Sequence, residues 1–297
     1  MNRKGKSVDG LILPITYKGL FKFVYKTNFM LLVKMSLILS VFAFLGLIAM
    51  VLKGVFESSI LHNANNLSNV IIRERLMMFR GFYGLVYYFC LLLFSIGLAG
   101  AFYIMKKLLF NEGISFKRDF IKGIKKNGVI FLGTTAFYGF IIVAAYFVLN
   151  LLSSDELIQY YLPVLVVFIL LSCLVLGMYF VSLMMITIYK VTFGKMLKNA
   201  LLIVVVRIPY ILLAIAGSVL LFILCYFIPT NIGLYISIFL YAFIGLGHSV
   251  LFVSLIDIYL FDELVNKKQY PEIYRKGLFN SADEEIIDEG FKNGSQN

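Results

Sequence analysis

The chain has 297 residues, 61% of them apolar and 14% charged, and carries a net charge of +11. Soluble domains run near 45–50% apolar and about 25% charged, so this composition excludes one. The basic surplus would suggest nucleic acid in a soluble protein. Here the bases flank apolar runs, which points to membrane orientation and anionic lipid and to no nucleic-acid role.

Runs of about 18 or more apolar residues cross roughly 30 Å of hydrocarbon as helices. In chain order the predicted spans are Phe29–Leu52, Gly81–Met105, Gly128–Leu152, Tyr161–Ile186, Ala200–Ile228 and Leu234–Leu255. Barrel strands would alternate apolar and polar residues, whereas these runs are apolar on every face. The expected fold class is all-α, a polytopic membrane helix bundle of six transmembrane helices arranged as three hairpins, with short basic amphipathic cytoplasmic helices. The first run is too long for a signal-peptide core and lacks a persuasive cleavage site, so it reads as an uncleaved span. The expected organisation is a basic cytoplasmic segment over 1–28, a six-span membrane domain over 29–258, and a cytoplasmic tail over 259–297. The tail's acidic end, around Asp283, Glu284, Glu285, Asp288 and Glu289, reads as disordered.

The loops divide the 27 Lys and Arg residues very unevenly, 23 on one side of the spans and 4 on the other. That asymmetry predicts a multi-pass plasma-membrane protein with both termini cytoplasmic. On the sparse side, 153–160 and 229–233 read as tight turns. The longer loop Lys53–Arg80 contains a stretch, Asn69–Arg80, that extends span two outward as a helix. Asn66-Leu67-Ser68 matches a glycosylation sequon, which matters only in a glycosylating secretory pathway.

Three basic segments with an apolar stripe precede spans one, three and five. Thr16-Tyr17-Lys18-Gly19-Leu20-Phe21-Lys22 and Thr192-Phe193-Gly194-Lys195-Met196-Leu197-Lys198 align without a gap, and Ser115-Phe116-Lys117-Arg118-Asp119-Phe120-Ile121-Lys122 fits after one insertion. The leading hydroxyl suits a helix N-cap. In the middle copy Phe116, Phe120, Ile121 and Ile124 are expected on one face, with Lys117, Arg118, Asp119, Lys122, Lys125 and Lys126 forming a candidate cytoplasmic interfacial helix. Its expected partners are anionic headgroups at the inner face, with a membrane-protein partner or a second copy of the chain as alternatives.

The run Ser95-Ile96-Gly97-Leu98-Ala99-Gly100-Ala101-Phe102-Tyr103, then Lys106-Lys107-Leu108, Phe116-Lys117-Arg118-Asp119-Phe120 and Lys125-Lys126-Asn127, resembles the YesL family of bacterial integral membrane proteins. Thr192-Phe193 and Leu197-Lys198-Asn199-Ala200-Leu201 resemble a second element of that family. The resemblance spans roughly residues 15 to 265. It implies a helical plasma-membrane protein without an established catalytic activity, often associated with carbohydrate uptake. The long first outer loop and the acidic tail depart from the pattern.

Ionisable groups at bilayer depth carry a functional hypothesis by default. His248, Arg207 and Pro209 form the candidate intramembrane polar site: a titratable ring among small residues, and a proline expected to kink span five. An interhelical hydrogen bond is the plainer reading of His248. Asp257 is expected to be solvated or paired near the inner end of span six, and Lys34 and Arg207 to snorkel. Gly97/Ala101, Ala214/Ser218 and Gly245/Ser249 predict helix-packing faces. Cys90, Cys173 and Cys225 read as small buried hydrophobes.

No catalytic, cofactor-binding or metal-ligating set is expected. Gly128–Gly133 lacks the Lys-Ser/Thr of a phosphate loop, and two histidines give no zincin motif. The expectation is a non-catalytic membrane protein accessory to carbohydrate or other solute uptake, or to envelope processes. A small-solute transporter or channel is the alternative, and a lipid-acting membrane enzyme a third.

Overall fold

The computed structural model describes residues 14–62, 69–152, 158–220 and 231–278, with a two-residue strand pair near the start. In that pair β1 (Ser7–Val8) lies antiparallel to β2 (Leu11–Ile12). All else of length is helical: α1 (Tyr17–His62), α2 (Asn69–Leu109), α3 (Phe116–Leu152), α4 (Ile158–Ile188), α5 (Phe193–Val206), α6 (Ile208–Ser218), α7 (Asn231–Leu240) and α8 (Leu246–Phe261). Two π-helical turns, Tyr241–Gly245 and Asp262–Asn266, join the last helices into one run that ends at Gln269. The fold is an all-α polytopic bundle.

Five helices are long and apolar enough to cross a membrane, and a sixth crossing is counted if the bent pair α5 and α6 is one span. The described chain ends meet, since the Arg275 guanidinium donates to the Ile15 carbonyl at 2.9 Å. A chain that starts and finishes at one end of a bundle crosses it an even number of times, which favours six.

Helices one and two extend well past the expected spans. Asn69–Arg80 is helical, as the sequence suggests, and α1 continues to His62. Arg80 donates to Glu57 at 2.6 Å and 2.8 Å, and Phe56 meets Phe79, so the two extensions are pinned together. At the other end α1 kinks at Asn28 (φ −127°, ψ 24°). There the Thr27 hydroxyl bonds back to the Phe23 carbonyl and the Asn28 amide bonds Thr27, local competition that bends a helix.

The densest packing lies toward the end that holds both described termini. Ala99, Ala101, Ile104 and Met105 of α2, Val181–Met185 of α4 and Leu251–Phe261 of α8 are buried on nearly all faces. Gly123 sets the approach of α3 to α2: a Cβ there would lie 2.6 Å from Tyr103 Cβ and 2.8 Å from the Ala99 carbonyl. Elsewhere the helices expose apolar side chains outward, as a lipid-facing surface requires. Of the small-residue pairs, Gly97 packs on Phe42 of α1, while Ala214 and Ser218 are buried in α6.

Several expectations change. Span five is broken rather than continuous: Ala200–Val206 completes α5, and the chain then turns by 95° at Arg207 before α6. Pro209 sits in the first turn of α6, where its missing N–H costs nothing. The first amphipathic segment does not leave its apolar stripe for lipid: Leu20 and Val24 are buried, and Phe21 packs on Phe252 of α8. In the middle segment Ile121 is exposed among the bases, and the buried stripe runs through Phe120, Gly123 and Asn127. The hydroxyl caps differ too. Thr16 accepts from Gly19 N–H at 3.1 Å, but Thr192 makes no side-chain cap.

Gly123→Val should therefore lower the melting temperature in detergent sharply, by overpacking worth about 1–3 kcal/mol. Gly133→Val, where a Cβ meets nothing within 4 Å, should leave it unchanged. Equal melting of the two variants would remove Gly123 from the packing account.

Candidate functional site

The basic α3 segment is divided by its helical phase. Asp119 turns inward, 4% exposed, and bonds Lys107 Nζ at 2.8 Å and the Ser115 N–H at 2.8 Å. It thereby joins the end of α2 to the start of α3. Burial alone disfavours its charge, yet the Lys107 and Ser115 bonds prevail and hold the carboxyl below the usual carboxylate range.

Arg118, Lys122, Lys125 and Lys126 turn outward and, with Ile121, line a shallow depression of about 570 Å³. Ile121 is 43% exposed at its centre. Lys126 lies over the Tyr103 ring at 5.9 Å, while Arg118, Lys122 and Lys125 make no salt bridge among the described residues. Lys117 is exposed beside them. Spacings of three and four carry this face onward to Val129, Leu132 and Phe140, which point away from the protein. The cations thus lie one turn beyond a stripe that faces lipid.

A second constellation, which sequence reasoning missed, closes the same end. Asp262 accepts from the Tyr17 hydroxyl, from the Asn266 amide at 2.6 Å and from the Arg275 N–H at 2.8 Å. Asn266 in turn accepts from Tyr189, just past α4. One buried carboxylate therefore ties α1, the region after α4, the second π turn and the C-terminal strap. Lys276 pairs with Glu112 at 2.8 Å, and Gly277 (φ +89°) lies directly on the Leu109 carbonyl, a place only glycine fits. Where the sequence places a tail from residue 259, the chain stays packed through Leu278. The acidic cluster lies outside the described residues.

His248 sits where α1, α6 and α8 converge beside the first π turn. Its Nε2 lies 3.2 Å from the Gly217 carbonyl, which can only accept, so Nε2 carries the proton. Nδ1 then accepts from the Tyr25 hydroxyl. Tyr241 and Ser249 reach the Ser218 carbonyl at 2.9 Å and 2.6 Å. The Gly247 N–H donates to Ser36 Oγ at 2.7 Å, and the Ser40 hydroxyl lies 3.2 Å from the Ala242 carbonyl. These side chains serve backbone groups that the π turn and the end of α6 release from the regular ladder.

Arg207 and Pro209 are not brought to His248. They stand at the opposite end of α6, about 15 Å away at 1.5 Å per residue. Arg207 does not simply snorkel; it pairs with Glu263 in the second π turn. Asp257 is neither solvated nor paired. It is fully buried in α8, and both its oxygens, like the Ser254 hydroxyl one turn earlier, lack a hydrogen-bond partner among the described residues.

A cavity of about 330 Å³ between α2, α3 and α4 is lined by apolar side chains and by Tyr87, Tyr88, Tyr138 and Tyr179. Three of these hydroxyls are engaged, Tyr88 with the Ala136 carbonyl, Tyr138 with Ser182 and Tyr179 with Thr135. Cys90 and Cys173 are half-buried free thiols; Cys225 and the sequon lie outside the described residues. Among the described residues no group of three or more His, Cys, Asp or Glu side chains is placed to hold a metal. Protein-family models, curated proteins and solved structures contain no significant match to the chain.

Asp119 sets a pH dependence. Its folded carboxyl titrates below the unfolded value of about 3.9, so its stabilisation is complete above that pH and is lost as pH falls below it. Asp119→Asn should cost about 1.5–3 kcal/mol at pH 7, and should flatten the acid limb of a melting-temperature profile. A variant whose profile overlays the parent's would contradict the assignment.

Proposed function

We propose that this chain is a non-catalytic, multi-pass protein of the plasma membrane with cytoplasmic termini, whose basic end holds anionic lipid headgroups. The observation that carries this reading is the depression of Arg118, Lys122, Lys125 and Lys126, aligned with the lipid-facing Val129, Leu132 and Phe140. Cations set one turn beyond a lipid-facing stripe lie at headgroup depth, where each basic residue gains about 1 kcal/mol from an anionic leaflet. The exposed Ile121 suits the same depth, since an apolar side chain there enters the acyl boundary. An accessory role in carbohydrate or other solute uptake rests on the likeness of the α2–α3 motifs to the YesL family.

Transport is the second reading, and Asp257 now favours it more than His248 does. His248 is committed to Tyr25 and Gly217, whereas Asp257 and Ser254, between two π turns, present buried polar atoms that have no partner among the described residues. Unpaired buried carboxylates are costly and are retained where something uses them.

The test is native mass spectrometry of protein reconstituted with phosphatidylglycerol and phosphatidylcholine. The triple variant Lys122→Glu, Lys125→Glu, Lys126→Glu should retain severalfold less phosphatidylglycerol, and equal retention would sink the headgroup reading. Solute flux in proteoliposomes that Asp257→Asn abolishes, with unchanged elution of the variant, would favour transport instead.

A further inference from the structure

The C-terminal strap delivers the chain to the edge of the basic depression. Leu278, the last described residue, is buried beside the α2–α3 turn. Lys276 is held by Glu112 at 2.8 Å, and Gly277 lies on the Leu109 carbonyl. Glu112 lies in the α2–α3 turn, six residues before Arg118, so Leu278 ends the described chain near the start of α3. Asp283 is five residues on, and five extended residues reach roughly 17 Å. That matches α3 from Phe116 to Lys126, about 15 Å at 1.5 Å per residue.

The two surfaces are complementary in kind as well as in place. The emerging segment reads Asp283-Glu284-Glu285-Ile286-Ile287-Asp288-Glu289, two apolar residues flanked by acids on either side. The depression has one exposed apolar residue, Ile121, flanked by Arg118, Lys122, Lys125 and Lys126. Arg118, Lys122 and Lys125 have no salt-bridge partner among the described residues.

We propose that Asp283–Glu289 docks on this depression and competes there with anionic lipid. The inference rests on the headgroup reading and adds a regulator to it: the chain's own acidic segment occupies the site when anionic lipid is scarce. Rising phosphatidylglycerol displaces it, and salt weakens both occupants. Ile286 and Ile287 cover Ile121 in the docked state.

The test uses the full chain in nanodiscs, zero-length carbodiimide coupling of carboxylates to amines, and peptide mapping. In phosphatidylcholine discs, amide links should join Asp283–Glu289 to Lys122, Lys125 or Lys126; phosphatidylglycerol should reduce them severalfold. Replacing the five acids together by Asn and Gln should raise phosphatidylglycerol retention severalfold. Mixed isotope-labelled and unlabelled chains separate a segment reaching its own depression from one reaching a neighbour's, and links only between chains would overturn the proposal. So would absent links in phosphatidylcholine with retention unchanged by neutralisation. If the lysine triple variant still loses phosphatidylglycerol in that case, only the docking fails; if it does not, the headgroup reading fails with it.

Discussion

Hydrocarbon offers no hydrogen bonds, so each backbone group inside the membrane must find its partner within the protein. That constraint makes the chain helical, and it also governs how the helices are interrupted. At two departures from the regular ladder, side chains reach the backbone groups concerned. The first π turn has Ser36 and Ser40 from α1 against it, and the end of α6 is covered by Tyr241, His248 and Ser249. Polar residues in these spans therefore answer mainly to the backbone. Among the described residues Thr134, Ser172, Ser254 and Asp257 keep buried polar atoms without a hydrogen-bond partner, and the carboxyl of Asp257 is what supports the transport reading.

The charges of the basic end divide into two populations. One is paired and joins elements: Lys107 with Asp119, Arg207 with Glu263, Lys276 with Glu112, and Asp262 with both described chain ends. The other is turned outward on α3 and lacks salt bridges among the described residues. Within the paired set, Asp119 joins the start of α3 to the end of α2, while the unpaired cations of α3 face outward. The proposed headgroup site and the stability of this end meet at Asp119, a few residues from the outward cations.

Length and apolarity suffice to read the helices, because a span needs only its own residues. The meeting of the basic loops at one end was legible for a similar reason, since charge counts need no tertiary contacts. Other features depend on residues far apart in the chain. The Asp262 hub joins Tyr17 to the strap across 245 positions, and no local pattern marks it. Pro209 announces a break near span five, but the 95° turn also involves the Arg207–Glu263 pair, which forms across the bundle. Ile121 lies about 100° around the helix from Phe120, so counting it with the buried stripe ignored a helical phase that Gly123 and Asn127 set. The plainer reading of His248, an interhelical hydrogen bond, agrees with its contacts to Tyr25 and Gly217, while its distance from Arg207 required the course of α6.

The central claim is that the basic end is the cytoplasmic, working face of the bundle. Single-cysteine labelling with a membrane-impermeant maleimide tests it directly, in a chain whose three native cysteines are replaced by alanine. Ser58 and Ser115 are exposed at opposite ends of the bundle. The account predicts that Ser58→Cys is labelled on intact cells and that Ser115→Cys is labelled only after permeabilisation. The reverse pattern would place the depression outside the cell and contradict it.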